Sequence, residues 1–193
     1  MDPMQSFSRR TLLGSAAALA CTTTLGRAQT PPAAPPPPAA VMAMRTLILV
    51  RHGEKNADDP RDPTLSEAGL QRAAALLRLL GETRITHVWT SEYKRTKDFV
   101  AEIAKRHELT PEAFPGRDPL GLAERIKAMP AGSIGLVVGH SNTLPVIAKA
   151  LRAPLTNLAG GTDLRDDEYD RLVVISGIRD GELPALLELR YGA

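Results

Sequence analysis

The chain has 193 residues, 43% hydrophobic and 24% charged, a composition that can bury the core of one domain. Its formal net charge is +2, and once the basic first 28 residues are set aside the Lys+Arg and Asp+Glu counts balance, so the neutral body lacks the basic face of a general nucleic-acid binder. The single cysteine, Cys21, excludes an intrachain disulfide and a cysteine-based zinc site, and the absence of an apolar run of about 18 residues excludes an ordinary membrane span.

Residues 1–28 read as an export signal. Ser8-Arg9-Arg10-Thr11-Leu12-Leu13 precedes a short, weakly apolar stretch from Leu12 to Leu25, and Gly26-Arg27-Ala28 ends on a small residue. Charge, apolar segment and small-residue cleavage site are the layout of a secretory signal. The paired arginines resemble the twin-arginine export motif. Cleavage after Ala28 and a periplasmic or secreted location are therefore expected. Ala18-Leu19-Ala20-Cys21 also resembles a lipoprotein cleavage box, and in that alternative Cys21 carries a lipid anchor. Residues 29–43 read as a linker. Its core, Pro-Pro-Ala-Ala-Pro-Pro-Pro-Pro-Ala-Ala at 31–40, lacks the backbone donors a helix or sheet requires and forms an extended spacer. The folded domain is expected over residues 44–193.

Within it, Arg45–Val50 is a continuous apolar, β-branched run and predicts a strand buried on both faces. Leu70, Ala73, Ala74, Leu77 and Leu80 predict a helix over 66–80, started by a capping box around Thr64–Glu67 and stopped at Gly81. Residues 86–90 predict a short strand. Residues 94–107 predict a helix whose last turn, Lys105-Arg106-His107, suits the negative end of the dipole. Residues 119–129 predict a shorter helix ended by Pro130. Residues 133–138 predict a third buried strand, and 142–151 a helix with Pro145 in its first turn, where proline is tolerated. Residues 172–176 and 186–190 predict two further strands, with a hairpin turn at Arg179-Asp180-Gly181. Strands alternating with helices give an α/β fold with a mostly parallel sheet and one antiparallel strand near the C-terminus.

Ligands of such sheets collect beyond the carboxyl ends of the strands. Two of the four histidines stand there. His52 follows the first strand in Arg51-His52-Gly53-Glu54, and His140 follows the third in Gly139-His140-Ser141. His87 and His107 read as structural. A catalytic zinc would need a third matched ligand, which the spacing does not offer, and Arg51 would repel a cation. An arginine beside a histidine suits an anion, because its planar fork of donors matches phosphate oxygens. Arg95, at the start of the helix after the second strand, is the second arginine of the group.

Arg51-His52-Gly53-Glu54 resembles the first signature of the histidine phosphatase (phosphoglycerate mutase-like) superfamily. Ser91 with Arg95-Thr96 is similar to its second-arginine motif, and Gly139-His140-Ser141 to its second-histidine motif. The resemblance spans Arg45 to Tyr191 and points to the small exported bacterial branch. It implies a three-layer α/β sandwich. It further implies a phosphatase in which His52 is the nucleophile and becomes phosphorylated, while Arg51, Arg95 and His140 hold the phosphoryl oxygens. No metal or other cofactor is called for, and the expected partner is a small phosphorylated substrate.

The sequence departs from the family at the proton donor. Ser141 stands where one branch places an aspartate after the second histidine. Glu54 is a candidate acid, or a brace pairing with an arginine. Asp118 is a candidate acid or a helix cap. Lys55 is surface or substrate contact, and Asn142 a helix cap or substrate contact. Asp166, Asp167, Glu168 and Asp170 read as a solvated loop. Two alternatives remain at this stage: a phosphate-binding or sensing module without turnover, and a phosphoglycerate mutase-type phosphotransferase.

Overall fold

The computed structural model describes residues 44–192; the signal segment, Cys21 and the Pro/Ala-rich linker lie outside the described residues. Six strands form one sheet: β1 (Arg45–Arg51), β2 (His87–Ser91), β3 (Glu112–Phe114), β4 (Ile134–Gly139), β5 (Arg171–Ile178) and β6 (Ala185–Arg190). Four helices connect or flank them: α1 (Glu67–Leu80), α2 (Lys94–Arg106), α3 (Pro119–Lys127) and α4 (Thr143–Ala150). The spatial order is β3-β2-β4-β1-β5-β6. The pairs β1–β4, β2–β4 and β2–β3 are parallel, and β5 runs against both its neighbours, β1 and β6.

The apolar run of β1 is used on both faces, as its lack of alternation requires. Leu47 and Leu49 join a core with Leu122, Ile126, Leu144 and Ile147 from α3 and α4. Ile48 and Val50 join a second core with Leu76, Leu80, Phe99 and Ile103 from α1 and α2. The result is the expected three-layer α/β sandwich.

The expected elements are present, with boundaries shifted by a residue or two. Ser66 caps α1, its side chain accepting from the Gly69 N–H at 3.2 Å. The helix α1 ends at Leu80 with Gly81 as its C-cap, as expected, Gly81 itself staying in the right-handed region (φ −59°, ψ −25°). Strand β3 is not among the elements the sequence predicts. It is three residues long and only Phe114 is buried, which leaves no hydrophobic pattern to read. In the loop 166–170, Asp166 and Asp167 are exposed as expected, but Glu168 is not. Glu168 is 5% exposed and pairs with Arg171 and Arg190 at 2.8 and 2.5 Å, because a buried carboxylate is tolerated only when its charge and lone pairs are matched.

Candidate active site

Register places the site. Arg51 pairs with Gly139 at the ends of the parallel strands β1 and β4. His52 and His140 are each the next residue. They are therefore side by side although 88 positions apart, their rings 5.2 Å between centroids and nearly edge to face. On the other flank of β4, Thr90 pairs with Val138, so Ser91 and the start of α2 reach the same sheet end. Close glycine contacts seat the loop after β1. A Cβ on Gly69 would lie 2.3 Å from the Glu54 carbonyl oxygen, and one on Gly53 would lie 2.7 Å from the Gly69 Cα. Any side chain at these positions would push α1 off the loop that carries His52.

His52 is 4% exposed. Its Nδ1 lies 2.7 Å from the Gly53 carbonyl oxygen. A carbonyl can only accept, so Nδ1 carries the proton and Nε2 the lone pair. The Arg95 Nε donates toward that Nε2 at 3.3 Å. Burial pushes the His52 imidazole down to about 3, opposed by the Gly53 carbonyl, and the nearby His140, Arg95 and Arg51 push it down further. Burial likewise lowers His140 to about 4, together with Arg95, Arg51 and Lys55 and against the pull of Glu92. Both rings are neutral at pH 7.

The two arginines are held differently. One terminal nitrogen of Arg51, Nη1, donates to the carbonyl oxygens of Arg165, Asp166 and Glu168 at 2.9, 3.1 and 3.2 Å. Its guanidinium also stacks 4.1 Å from the Tyr169 ring. Arg95 stacks 4.3 Å from the Tyr93 ring and faces Asp62 at 3.7 Å. In these two arginines Arg51 Nε and Arg95 Nη1 are buried without a hydrogen-bond partner, the latter with only the longer Asp62 contact. Unpaired buried donors are costly, so their presence beside two neutral imidazoles marks a place that an anion satisfies.

Arg51, His52, Arg95, His140 and Asn142 line one cavity of about 470 Å³. Asn142 precedes α4 but makes no side-chain cap bond, so its amide is open to a ligand. Lys55 lines the same cavity, as do Tyr93, Arg117, Asp163 and Asp166, which sequence reasoning did not assign to a site. Asp166 had a signal: it sits in the acidic loop whose carbonyls Arg51 holds, but nothing local tied that loop to β1. Among the described residues no three His, Cys, Asp or Glu side chains gather as a metal site would require.

Glu54 lies outside the cavity wall and pairs with Arg72 of α1, which donates to both carboxylate oxygens at 2.5 to 3.1 Å. The Arg72 hydrogen bonds hold the Glu54 carboxyl below its usual range, so the group is ionised and braces the loop instead of donating a proton. Asp118 accepts from the Gly121 N–H at 2.8 Å and caps α3. Glu54→Gln is accordingly expected to cost about 1 kcal/mol in urea denaturation, since a part-exposed charged hydrogen bond is weakened. The same change should slow an alkyl phosphate by less than about tenfold, where loss of a general acid would cost 10²-fold or more.

The buried neutral histidines also set a pH dependence of stability. Unfolded, each titrates near 6.5; folded, near 3 and 4. The unfolded chain therefore binds more protons below pH 6.5, and stability present above that pH is lost as pH falls toward the folded values. Between pH 7 and pH 5 the loss should be about 2 kcal/mol for each ring. Denaturation midpoints measured across that range check this, and the addition of phosphate should reduce the loss, since an anion favours the protonated rings.

Residues 47–116 match the family model of the histidine phosphatase superfamily (branch 1). The chain is similar to the fructose-2,6-bisphosphatase TIGAR of Xenopus laevis, 33% identical over 85 residues. That match covers 40% of this chain and 31% of the relative, so the chain spans about a third of it. Among solved structures it is similar to a mycobacterial glucosyl-3-phosphoglycerate phosphatase (TM-score 0.56, 15% identity, 77% of this chain and 99% of the other). It is also similar to a candidate phosphohistidine phosphatase, SixA, from Nakamurella multipartitia (TM-score 0.55, 23% identity, 78% and 98%). At these identities the two structures speak to the fold alone.

Proposed function

We propose, from the match of residues 47–116 to the family model of the histidine phosphatase superfamily (branch 1), that the chain hydrolyses a small phosphomonoester through a phosphohistidine on His52, without a metal. The observation that carries this reading is the tautomer of His52. A neutral ring whose Nδ1–H donates to the Gly53 carbonyl leaves Nε2 unprotonated as a nucleophile, with Arg95 Nε 3.3 Å from it, in a cavity that also holds guanidinium N–H groups without hydrogen-bond partners. In such a site, attack of Nε2 on phosphorus forms the N–P bond as the P–O bond to the leaving group breaks. The Gly53 carbonyl keeps its hydrogen bond to Nδ1–H and steadies the positive ring that results. Arg51 Nε, Arg95 and Asn142 would hold the non-bridging oxygens, on which charge rests in the transition state. Water then attacks phosphorus and returns the electron pair to Nε2.

The test is hydrolysis of p-nitrophenyl phosphate in the presence of EDTA. Activity that disappears with EDTA overturns the metal-free mechanism. A phosphoenzyme that forms but never turns over converts the reading to a binding module. We propose further that the protein acts outside the cytoplasm after twin-arginine export. A mature N-terminus at Gln29 by mass spectrometry supports this, and a lipidated Cys21 would replace it with a membrane-anchored form.

A further inference from the structure

The proposed reaction lacks an evident acid for the leaving oxygen: Glu54 is held ionised by Arg72 and Asp118 caps α3. The hydrogen bonds behind His140 supply one. Ser91 and Thr96 are both 0% exposed. Thr96 Oγ1 lies 2.9 Å from the Tyr93 carbonyl oxygen and 3.2 Å from that of Ser91. Carbonyls only accept, so the Thr96 proton points to them. Ser91 Oγ lies 2.9 Å from Thr96 Oγ1, and that contact is favourable only if Ser91 gives its proton to Thr96. Ser91 Oγ is then left to accept, and His140 Nε2 stands 2.8 Å away. Reversing the chain would set lone pairs against lone pairs between Thr96 and the Tyr93 carbonyl. The His140 Nδ1 has no partner among the described residues, and the ring lines the cavity.

Resting on the reading of His52 as nucleophile, we propose that the buried Ser91–Thr96 hydroxyl pair locks His140 as its Nε2–H tautomer, so that Nδ1 meets the substrate as a lone pair and carries a proton from the phosphoryl group to the leaving oxygen. The substrate enters as the monoanion, with one P–OH. As His52 Nε2 bonds to phosphorus, the P–OH proton passes to His140 Nδ1, and from there to the leaving oxygen as its bond to phosphorus breaks. In the second half Nδ1 takes a proton from the attacking water as the N–P bond breaks, and returns it to the product phosphate. The ring is neutral at the start and end of each half. His140 is the catalytic group; Ser91 and Thr96 are positioning residues that fix which of its nitrogens is bare.

The experiment labels the histidines of the full chain with ¹⁵N and reads the tautomer of His140 by two-bond ¹⁵N–¹H correlation, assigned with His140→Gln. The expected result is an unprotonated Nδ1 at pH 7.5. In Thr96→Val the Ser91 proton loses its acceptor and turns to Nε2, so the tautomer inverts. That variant should lose about 10²-fold on glycerol phosphate but less than about tenfold on p-nitrophenyl phosphate, whose leaving group needs little protonation. Thr96→Ser should restore both the tautomer and the rate. If Thr96→Val does not fold, Ser91→Ala and the wild-type spectrum read the same point. A protonated Nδ1 in an active wild-type enzyme, or equal losses on the two substrates, overturns this inference alone. A wild type that turns over neither substrate overturns it together with the phosphatase reading.

Discussion

His52→Ala is expected to lower kcat on p-nitrophenyl phosphate by about 10⁵-fold or more, the scale seen when a covalent nucleophile is removed. The reason is structural as well as chemical. His52 offers Nε2 because Gly53 occupies Nδ1; in the partner ring, His140, Nε2 is tied to Ser91 and Nδ1 is the nitrogen assigned to carrying the proton. The variant should also lose the acid-labile phosphoryl label that wild type accumulates when quenched in base. Its folding should become less sensitive to acid, because one of the two imidazoles that take up a proton near pH 5 only when the chain unfolds is gone. Residual activity above about 1% of wild type would remove His52 from the nucleophile's role, since binding and orientation alone do not sustain that fraction.

The parts of this site that were legible in the sequence are those set by strand ends. Strands β1 and β4 are short apolar runs followed at once by Arg51-His52-Gly53 and Gly139-His140-Ser141. Because ligands collect at the carboxyl ends of parallel strands, the sequence alone places two motifs 88 residues apart together. What could not be read was pairing that depends on loops. Glu54 finds Arg72 because Gly53 and Gly69 touch and bring α1 against the loop, and nothing in the spacing of 54 and 72 announces that contact. Glu168 looked like one more charge in an acidic run, yet it is buried on Arg171 and Arg190. Asp163, Asp166 and Arg117 enter the cavity from loops whose path is fixed by the sheet order, which composition and periodicity do not specify. The hydroxyls of Ser91 and Thr96 belonged to a recognised motif, but their role became visible only with the distances between them and His140.

The largest combined effect on folding and activity is expected at Arg51. Arg51→Lys should lower kcat/KM by about 10²- to 10³-fold, as loss of one preorganised transition-state donor does, and should destabilise the fold by about 2–3 kcal/mol. Arg95→Lys should cost a similar factor in kcat/KM with less than about 1 kcal/mol of stability. The difference follows from what each guanidinium holds. Arg51 is 6% exposed and its Nη1 is shared by three backbone carbonyls of the loop after α4, while Nε remains for the anion. An ammonium has no planar fork and cannot reach three carbonyls and a phosphoryl oxygen at once. At least one buried carbonyl is then left without a donor, which costs about 1–3 kcal/mol, and the loop carrying Asp166 and Tyr169 loosens over the cavity. Arg95 holds no backbone. Its contacts are the His52 ring, the Tyr93 face and Asp62 at 3.7 Å, all at the cavity edge. Urea denaturation with and without vanadate separates the two. Vanadate should stabilise wild type by mass action and stabilise both variants less. Equal denaturation midpoints for Arg51→Lys and wild type would mean that the carbonyl clamp does not hold the loop, and that Arg51 acts on the anion alone.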